Sequence, residues 1–113
     1  MTNYAAGHLA EKYAAEYLQK HGYKIIASNW KTRYCEIDII AKYKKKVHFI
    51  EVKYRKTDAQ GSGFEYITGR KLKQMKFAAN MWVSENDWDK DYALGAIELT
   101  GPDFKVTNFL PVI

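Results

Sequence analysis

The chain has 113 residues, 47% of them apolar and 15% aromatic, and a formal net charge of +5. That describes one domain with one modest core, too apolar to be disordered. No apolar run approaches the ~20 residues of a membrane span, and the N-terminal stretch MTNYAAGHLAEKY lacks a signal-peptide core. The expected location is therefore the cytoplasm. A lone cysteine, Cys35, excludes an intrachain disulfide and a cysteine-rich zinc site.

Asn3 to His21 reads as a helix, with Ala6, Leu9, Ala10, Tyr13, Ala14 and Tyr17 at helical spacing, Thr2 or Asn3 as cap and Gly22 at the end. Glu11 lies off that stripe and, taken alone, is a solvated residue. Tyr23–Asn29 reads as a first strand, and Trp30-Lys31-Thr32-Arg33 as a polar connection in which Arg33 is a candidate phosphate contact.

Two apolar runs follow, Ile37–Ala41 and Val47–Val52, joined by Lys42-Tyr43-Lys44-Lys45-Lys46. Their length and β-branched content predict a β-hairpin. A turn centred on Lys44-Lys45 sets Lys42 across from Val47, Ile40 from Phe49, Asp38 from Glu51 and Glu36 from Lys53. Alternation then puts Glu36, Asp38, Glu51 and Lys53 on one side. Two carboxylates directly opposite would sit roughly 5 Å apart and repel. A divalent cation with oxygen ligands relieves that repulsion, and Lys53, two residues beyond Glu51, is placed to hold a water beside it. The alternative is a solvated sheet face with Glu36–Lys53 as a cross-strand ion pair, which leaves Asp38 against Glu51 unexplained.

Lys56–Thr68, with Gly61 and Gly63, is predicted as a mobile loop beside the carboxylates. Thr68 or Gly69 opens a second helix running to about Ser84. Its buried stripe is expected to be Leu72, Met75, Ala79, Trp82 and Val83, with Arg70, Lys73, Gln74 and Phe77 facing away. Phe77 and Met81 on the polar side are candidates for a partner surface. Tyr92–Leu99 and Phe104–Leu110 read as closing strands joined by a Thr100-Gly101-Pro102-Asp103 turn. The order is helix, three strands, helix, two strands, hence a mixed α/β sheet with a helix on each side or both at its edges.

Charge is uneven along the chain. Lys42 to Lys76 holds eleven Lys/Arg (Lys42, Lys44, Lys45, Lys46, Lys53, Arg55, Lys56, Arg70, Lys71, Lys73, Lys76) against three acids, Glu51, Asp58 and Glu65. A basic segment around paired carboxylates points to a polyanionic, phosphate-bearing substrate. Charge alone is more commonly that of a solvated surface.

The ordered words Gly7-x-x-Ala10-Glu11, Leu18, His21-Gly22-Tyr23-x-Ile25, Asn29-Trp30, Glu36-Ile37-Asp38-Ile39-Ile40-Ala41 and Ile50-Glu51-Val52-Lys53 resemble the YraN-like family of small bacterial proteins. That family is placed in the PD-(D/E)xK nuclease superfamily. The resemblance implies a restriction-endonuclease-like α/β fold in a single domain over residues 1–113, in the order α-β-β-β-α-β-β. It further implies that Asp38 and Glu51 bind Mg²⁺ or Mn²⁺, that Lys53 positions the attacking water, and that Glu11 reaches the site from the first helix. Three positions depart from the pattern: Ile37 where the superfamily name has proline, Cys35 where the family usually has glycine, and Gly95 near a commonly acidic position.

The activity so implied is metal-dependent hydrolysis of DNA phosphodiester bonds. Arg33, Arg55, Lys56, Arg70 and Lys73 are the candidate phosphate contacts, which fix position without reading sequence. With no base-reading module in the sequence, selectivity is expected for shape, ends or junctions. Junction resolvases of this fold act as dimers, which brings a homodimer into consideration. Two rivals remain: a non-catalytic nucleic-acid-binding module on the same fold, and an adaptor using Phe77, Met81 and the acidic segment 85–91.

Overall fold

The computed structural model of the protein describes residues 1–57, 59, 61 and 63–110. Helix α1 spans Asn3–Lys20, and Thr2 caps it by accepting the Ala5 N–H at 3.0 Å. Alanine spacing sets its inner face: Ala6, Ala10, Ala14 and Leu18 are buried, while Tyr13, expected in the stripe, is 40% exposed and stacks on Phe104. Gly22, at φ +91°, turns the chain out of the helix. The Tyr23 and Gly22 N–H groups then return to the Leu18 and Gln19 carbonyls, and Tyr23 packs in the same cluster as Leu18.

Strands β1 (Lys24–Lys31), β2 (Glu36–Tyr43), β3 (Lys46–Arg55), β4 (Tyr92–Thr100) and β5 (Lys105–Leu110) form one sheet in that spatial order, with helix α2 (Gly69–Glu85) between β3 and β4. All neighbours are antiparallel except β3 and β4, whose parallel pairing requires the crossover that α2 supplies. The chain order is the one read from the sequence. The described residues have a radius of gyration of 13.6 Å, close to the ~13 Å of one compact domain of about 100 residues. Asp58, Gln60, Ser62 and residues 111–113, and with them part of the loop reading and the end of the 1–113 domain reading, lie outside the described residues.

Alternation along β2 places the helices. Ile39 and Ala41 pack with Ala10, Ala14 and Leu18 of α1, whereas Ile40 packs with Ala78, Ala79 and Trp82 of α2. The helices therefore cover opposite faces, which the composition left open. The central strand β3 is pinned from both sides, with Ile50 toward α1 and Val47 and Phe49 toward α2. Phe49, Ile39, Ile40, Ile50, Leu18, Ile97 and Leu99 are fully buried; truncating any of them to alanine costs about 2–5 kcal/mol.

The α2 stripe is shorter than expected. Ala78, Ala79 and Trp82 are buried, but Leu72 is 46% exposed at the rim of a groove with Phe64, Ile67 and Leu94. Met81 is half-buried against Cys35, with Sγ–Sδ 3.6 Å, and so belongs to the packing under α2, not to its polar side. Phe77 is exposed, as read. None of the helices among the described residues is long and apolar enough to cross a membrane.

Candidate functional site

The hairpin register matches the reading from Tyr43↔Lys46 to Ile39↔Ile50, with the turn at Lys44-Lys45 and Lys44 at φ +56°. There the β2–β3 ladder stops. Asp38 and Glu51 are not a cross-strand pair, and Glu36 does not meet Lys53. Glu36 pairs instead with Lys31 of β1, Nζ to Oε2 3.7 Å, and Lys53 lies beside Glu98 of β4.

The cause is a side chain. The Val52 N–H points toward β2 and donates to Asp38 Oδ2 at 2.8 Å, so a carboxylate stands where a strand carbonyl would continue the ladder. Side-chain oxygens compete with strand pairing in this way. The strands part and open a notch, and Asp38 is fixed in it.

Four carboxylates from three elements line the cleft of about 380 Å³ at that notch: Glu11 from α1, Glu36 and Asp38 from β2 and Glu51 from β3. The Glu11 side chain is only 13% exposed, so it is not the solvated residue that its place on the helix implied. His8 Nδ1 lies 3.2 Å from its Oε1, and the Asn29 amide, oriented to donate, lies 2.8 Å from its Oε2. Asn29 sits in β1 at φ +53°, between the pairs Ser28↔Ile39 and Trp30↔Ile37, which puts it alongside Asp38. Asparagine tolerates that left-handed backbone better than most residues, and such strain concentrates at functional sites.

The carboxyls resist ionisation together. Burial, joined by the Glu11 and Glu36 charges, raises Asp38 to about 6 against the opposing Val52 hydrogen bond. Burial, then the Asp38 charge, raises Glu51. Burial also raises Glu11, opposed by side-chain hydrogen bonds with Asp38 and Asn29.

Glu51 has a cation beside it: Lys71 Nζ of α2 is 3.1 Å from Oε2. Lys53, half-buried, holds its ammonium 5.2 Å from the centre of the Tyr66 ring, on the α2 side of β3 with Glu51. At its described residues the loop beside the carboxylates folds over β3, where the Ile67 and Thr68 N–H groups bond back to the Phe64 and Tyr66 carbonyls. The Tyr66 hydroxyl is buried without a hydrogen-bond partner among the described residues, and burial, followed by the Glu51 and Asp38 charges, raises its pKa.

The five candidate phosphate contacts separate. Arg70 and Lys73 are exposed and line a second cleft, of about 440 Å³, together with Glu36, Glu51 and Lys71. Arg33 and Lys56 are exposed elsewhere, Arg33 with its guanidinium 5.5 Å from the Tyr34 ring. Arg55 is largely buried in an ion pair. Its side chain is 12% exposed, its Nε donates to the fully buried Glu98 at 2.7 Å and its Nη2 to the Gly63 carbonyl at 3.2 Å. Burial alone would raise Glu98; hydrogen bonds from Asn108, Arg55 and Thr107 outweigh it and hold the carboxyl below its ordinary value.

Two residues at the site escaped the sequence reading, Asn29 and Lys71. For Lys71 a signal was present: the first turn of α2 carries Arg70 and Lys71 and no acid, where cations oppose the helix dipole. Among the described residues, no group of three or more His, Cys, Asp or Glu side chains is placed to hold a metal by itself.

Residues 10–101 match the model of a family described as uncharacterised protein family UPF0102. The chain is similar to a UPF0102 protein of Herpetosiphon aurantiacus, 39% identical over 101 residues that cover 85% of this chain and 82% of that protein. It is also 34% identical to a Photobacterium profundum UPF0102 protein over 106 residues, covering 91% and 85% of the two chains. A Sulfurihydrogenibium relative, also a UPF0102 protein, is 38% identical over 96 residues, 84% of each. Glu11, Asn29, Asp38, Glu51, Lys53 and Lys71 all lie within the matched region, and the chain belongs to the UPF0102 family.

Proposed function

We propose that the protein is a divalent-metal-dependent nuclease on a restriction-endonuclease-like α/β fold, hydrolysing phosphodiester bonds of DNA selected by shape or junction, not by sequence. One observation carries the reading: Glu11, Asp38 and Glu51 meet at a notch with raised pKa values, beside a cleft lined by Arg70, Lys71 and Lys73. Buried carboxylates that repel one another are a site for a cation, and exposed cations around them are a site for a polyanion.

The donor set fits Mg²⁺ or Mn²⁺. Such an ion is commonly held by one or two carboxylates, with water and substrate phosphate completing its shell, so a full protein cage is not required. Asp38 and Glu51 are the ligands. When bound, the ion supplies Lewis acidity at a phosphate oxygen. The Val52 N–H holds Asp38 in orientation. Lys53, with its ammonium against Tyr66, orients the attacking water and offsets charge that develops on the phosphate.

Arg70 and Lys73 lie along the cleft that leads from Glu51, at the N-terminal half of α2, where the helix dipole also favours a phosphate. They engage backbone phosphates without reading bases, so the substrate is recognised by its path across this surface. A four-way junction engaged by a homodimer is one form of substrate that such recognition fits. The test is a cleavage assay on single-stranded, duplex, flapped and four-way-junction DNA in Mg²⁺ and Mn²⁺, with Glu51→Ala alongside. Wild type should cut at least one substrate and Glu51→Ala none; absence of cutting in either metal would leave a nucleic-acid-binding module without catalysis.

A further inference from the structure

We infer that Lys71 is a built-in stand-in for the divalent ion: it neutralises Glu51 when the ion is absent, and is released to the DNA backbone when the ion arrives. The inference rests on the carboxylate site proposed above and assigns a role to a residue outside it. Four observations support it. Lys71 Nζ sits 3.1 Å from Glu51 Oε2, and both side chains are partly exposed, 34% and 23%, so the pair can open without unfolding anything.

Second, Glu51 shares its cleft with the carboxylates Glu11, Glu36 and Asp38, a cluster that a nearby cation offsets. Third, Lys71 occupies the first turn of α2, its own N–H bonded to the Thr68 cap, where a positive charge opposes the helix dipole. The Glu51 contact offsets that penalty, and so would a phosphate. Fourth, Lys71 lines the same cleft as Arg70 and Lys73, so an ammonium displaced from Glu51 swings into the company of the two exposed cations already facing it.

Ion and ammonium therefore compete for one carboxylate. Binding the ion lengthens the row of cations from Arg70 and Lys73 to include Lys71. Metal binding and DNA binding become mutually reinforcing, as any such linkage must be. The ammonium of Lys71 also keeps the metal-free site from holding excess negative charge against an approaching polyanion.

The test uses Mn²⁺ alone in calorimetric titrations at pH 8, then a duplex DNA oligonucleotide in Ca²⁺ or EDTA. Lys71→Met should bind Mn²⁺ about three- to ten-fold more tightly than wild type, since the competing charge is gone. Lys73→Met, in the same cleft without a contact to Glu51, should change it much less. Lys71→Gln gives the same readout if the Met variant folds poorly. In wild type, Ca²⁺ should steepen the dependence of log K on log salt by about 0.9, one added phosphate contact. In Lys71→Met that steepening should vanish. Equal Mn²⁺ affinity in wild type and both Lys71 variants overturns the inference while the metal site stands. A Ca²⁺-induced steepening that survives in Lys71→Met overturns it as well. If wild type binds no Mn²⁺ at all, the carboxylate-site reading falls, and this inference with it.

Discussion

The carboxylate of Asp38 on β2 accepts the Val52 N–H of β3 at 2.8 Å, and the antiparallel ladder between the two strands ends one residue earlier, at Ile39↔Ile50. One side chain both opens the notch and is held in it. That single contact separates a sheet with an acidic face from a sheet with a site.

A pH dependence follows. In the fold Asp38 titrates near 6 against an ordinary value of 3.8, so the folded state holds that proton more tightly than the unfolded one. Its contribution to stability is complete below the unfolded value and is lost as pH rises through about 6. Glu11 and Glu51, also raised, act in the same direction, whereas Glu98 and His48 are lowered and lose stability as pH falls. Thermal melts of metal-free protein should show a melting temperature that drops by about 4 °C or more between pH 5 and 7.5. Asp38→Asn should flatten the drop.

Magnesium or manganese should reverse that loss. At pH 7.5, ion at 100 times its dissociation constant stabilises by about 2.7 kcal/mol. Melting curves with and without the ion read it directly. Asp38→Asn should be slightly more stable than wild type without metal and unresponsive to it; an unchanged response would place the ion elsewhere.

Arg55 should behave as a core residue. Arg55→Ala leaves Glu98, fully buried, without its guanidinium, and one-sided loss of a buried pair costs about 3–5 kcal/mol. Denaturant unfolding should show that loss, and the double variant Arg55→Met/Glu98→Leu should recover much of it. A change confined to DNA affinity, with stability intact, would return Arg55 to the nucleic-acid surface.

That residue marks how far the sequence was legible. The hairpin register could be read because Val47, Phe49, Ile40 and the Lys44-Lys45 turn obey strand alternation, and the crossover followed from a helix between two strands. What escaped depends on contacts that periodicity does not encode. Glu98 lies 43 residues from Arg55, so the pair is invisible to local pattern. Asp38 breaks the ladder through a side-chain-to-backbone bond, which parity cannot foresee. Leu72 has helical spacing for the core, yet it lies at the rim of an open groove. Lys71 was counted among the cations, but its pairing with Glu51 required knowing which way α2 crosses the sheet.

The exposed cations of α2 make a further prediction. Arg70→Glu combined with Lys73→Glu should weaken binding to DNA of any sequence and lower the salt slope by about 1.8, two phosphate contacts. Fluorescence anisotropy across a salt series measures it. An unaltered slope would mean that this face of α2 looks onto bulk solvent.

Lys53 separates catalyst from binder most directly. It touches neither Asp38 nor Glu51 through an ion pair and rests against Tyr66, so Lys53→Ala removes the water-orienting ammonium and leaves the carboxylates in place. The decisive measurement is single-turnover cleavage of the DNA panel by wild type and Lys53→Ala, each preloaded with Mn²⁺, with DNA affinity measured in parallel. The account predicts near-normal affinity and cleavage reduced at least about 100-fold in the variant, the range of a lost electrostatic contact to the transition state. Cleavage by Lys53→Ala at the wild-type rate would contradict it.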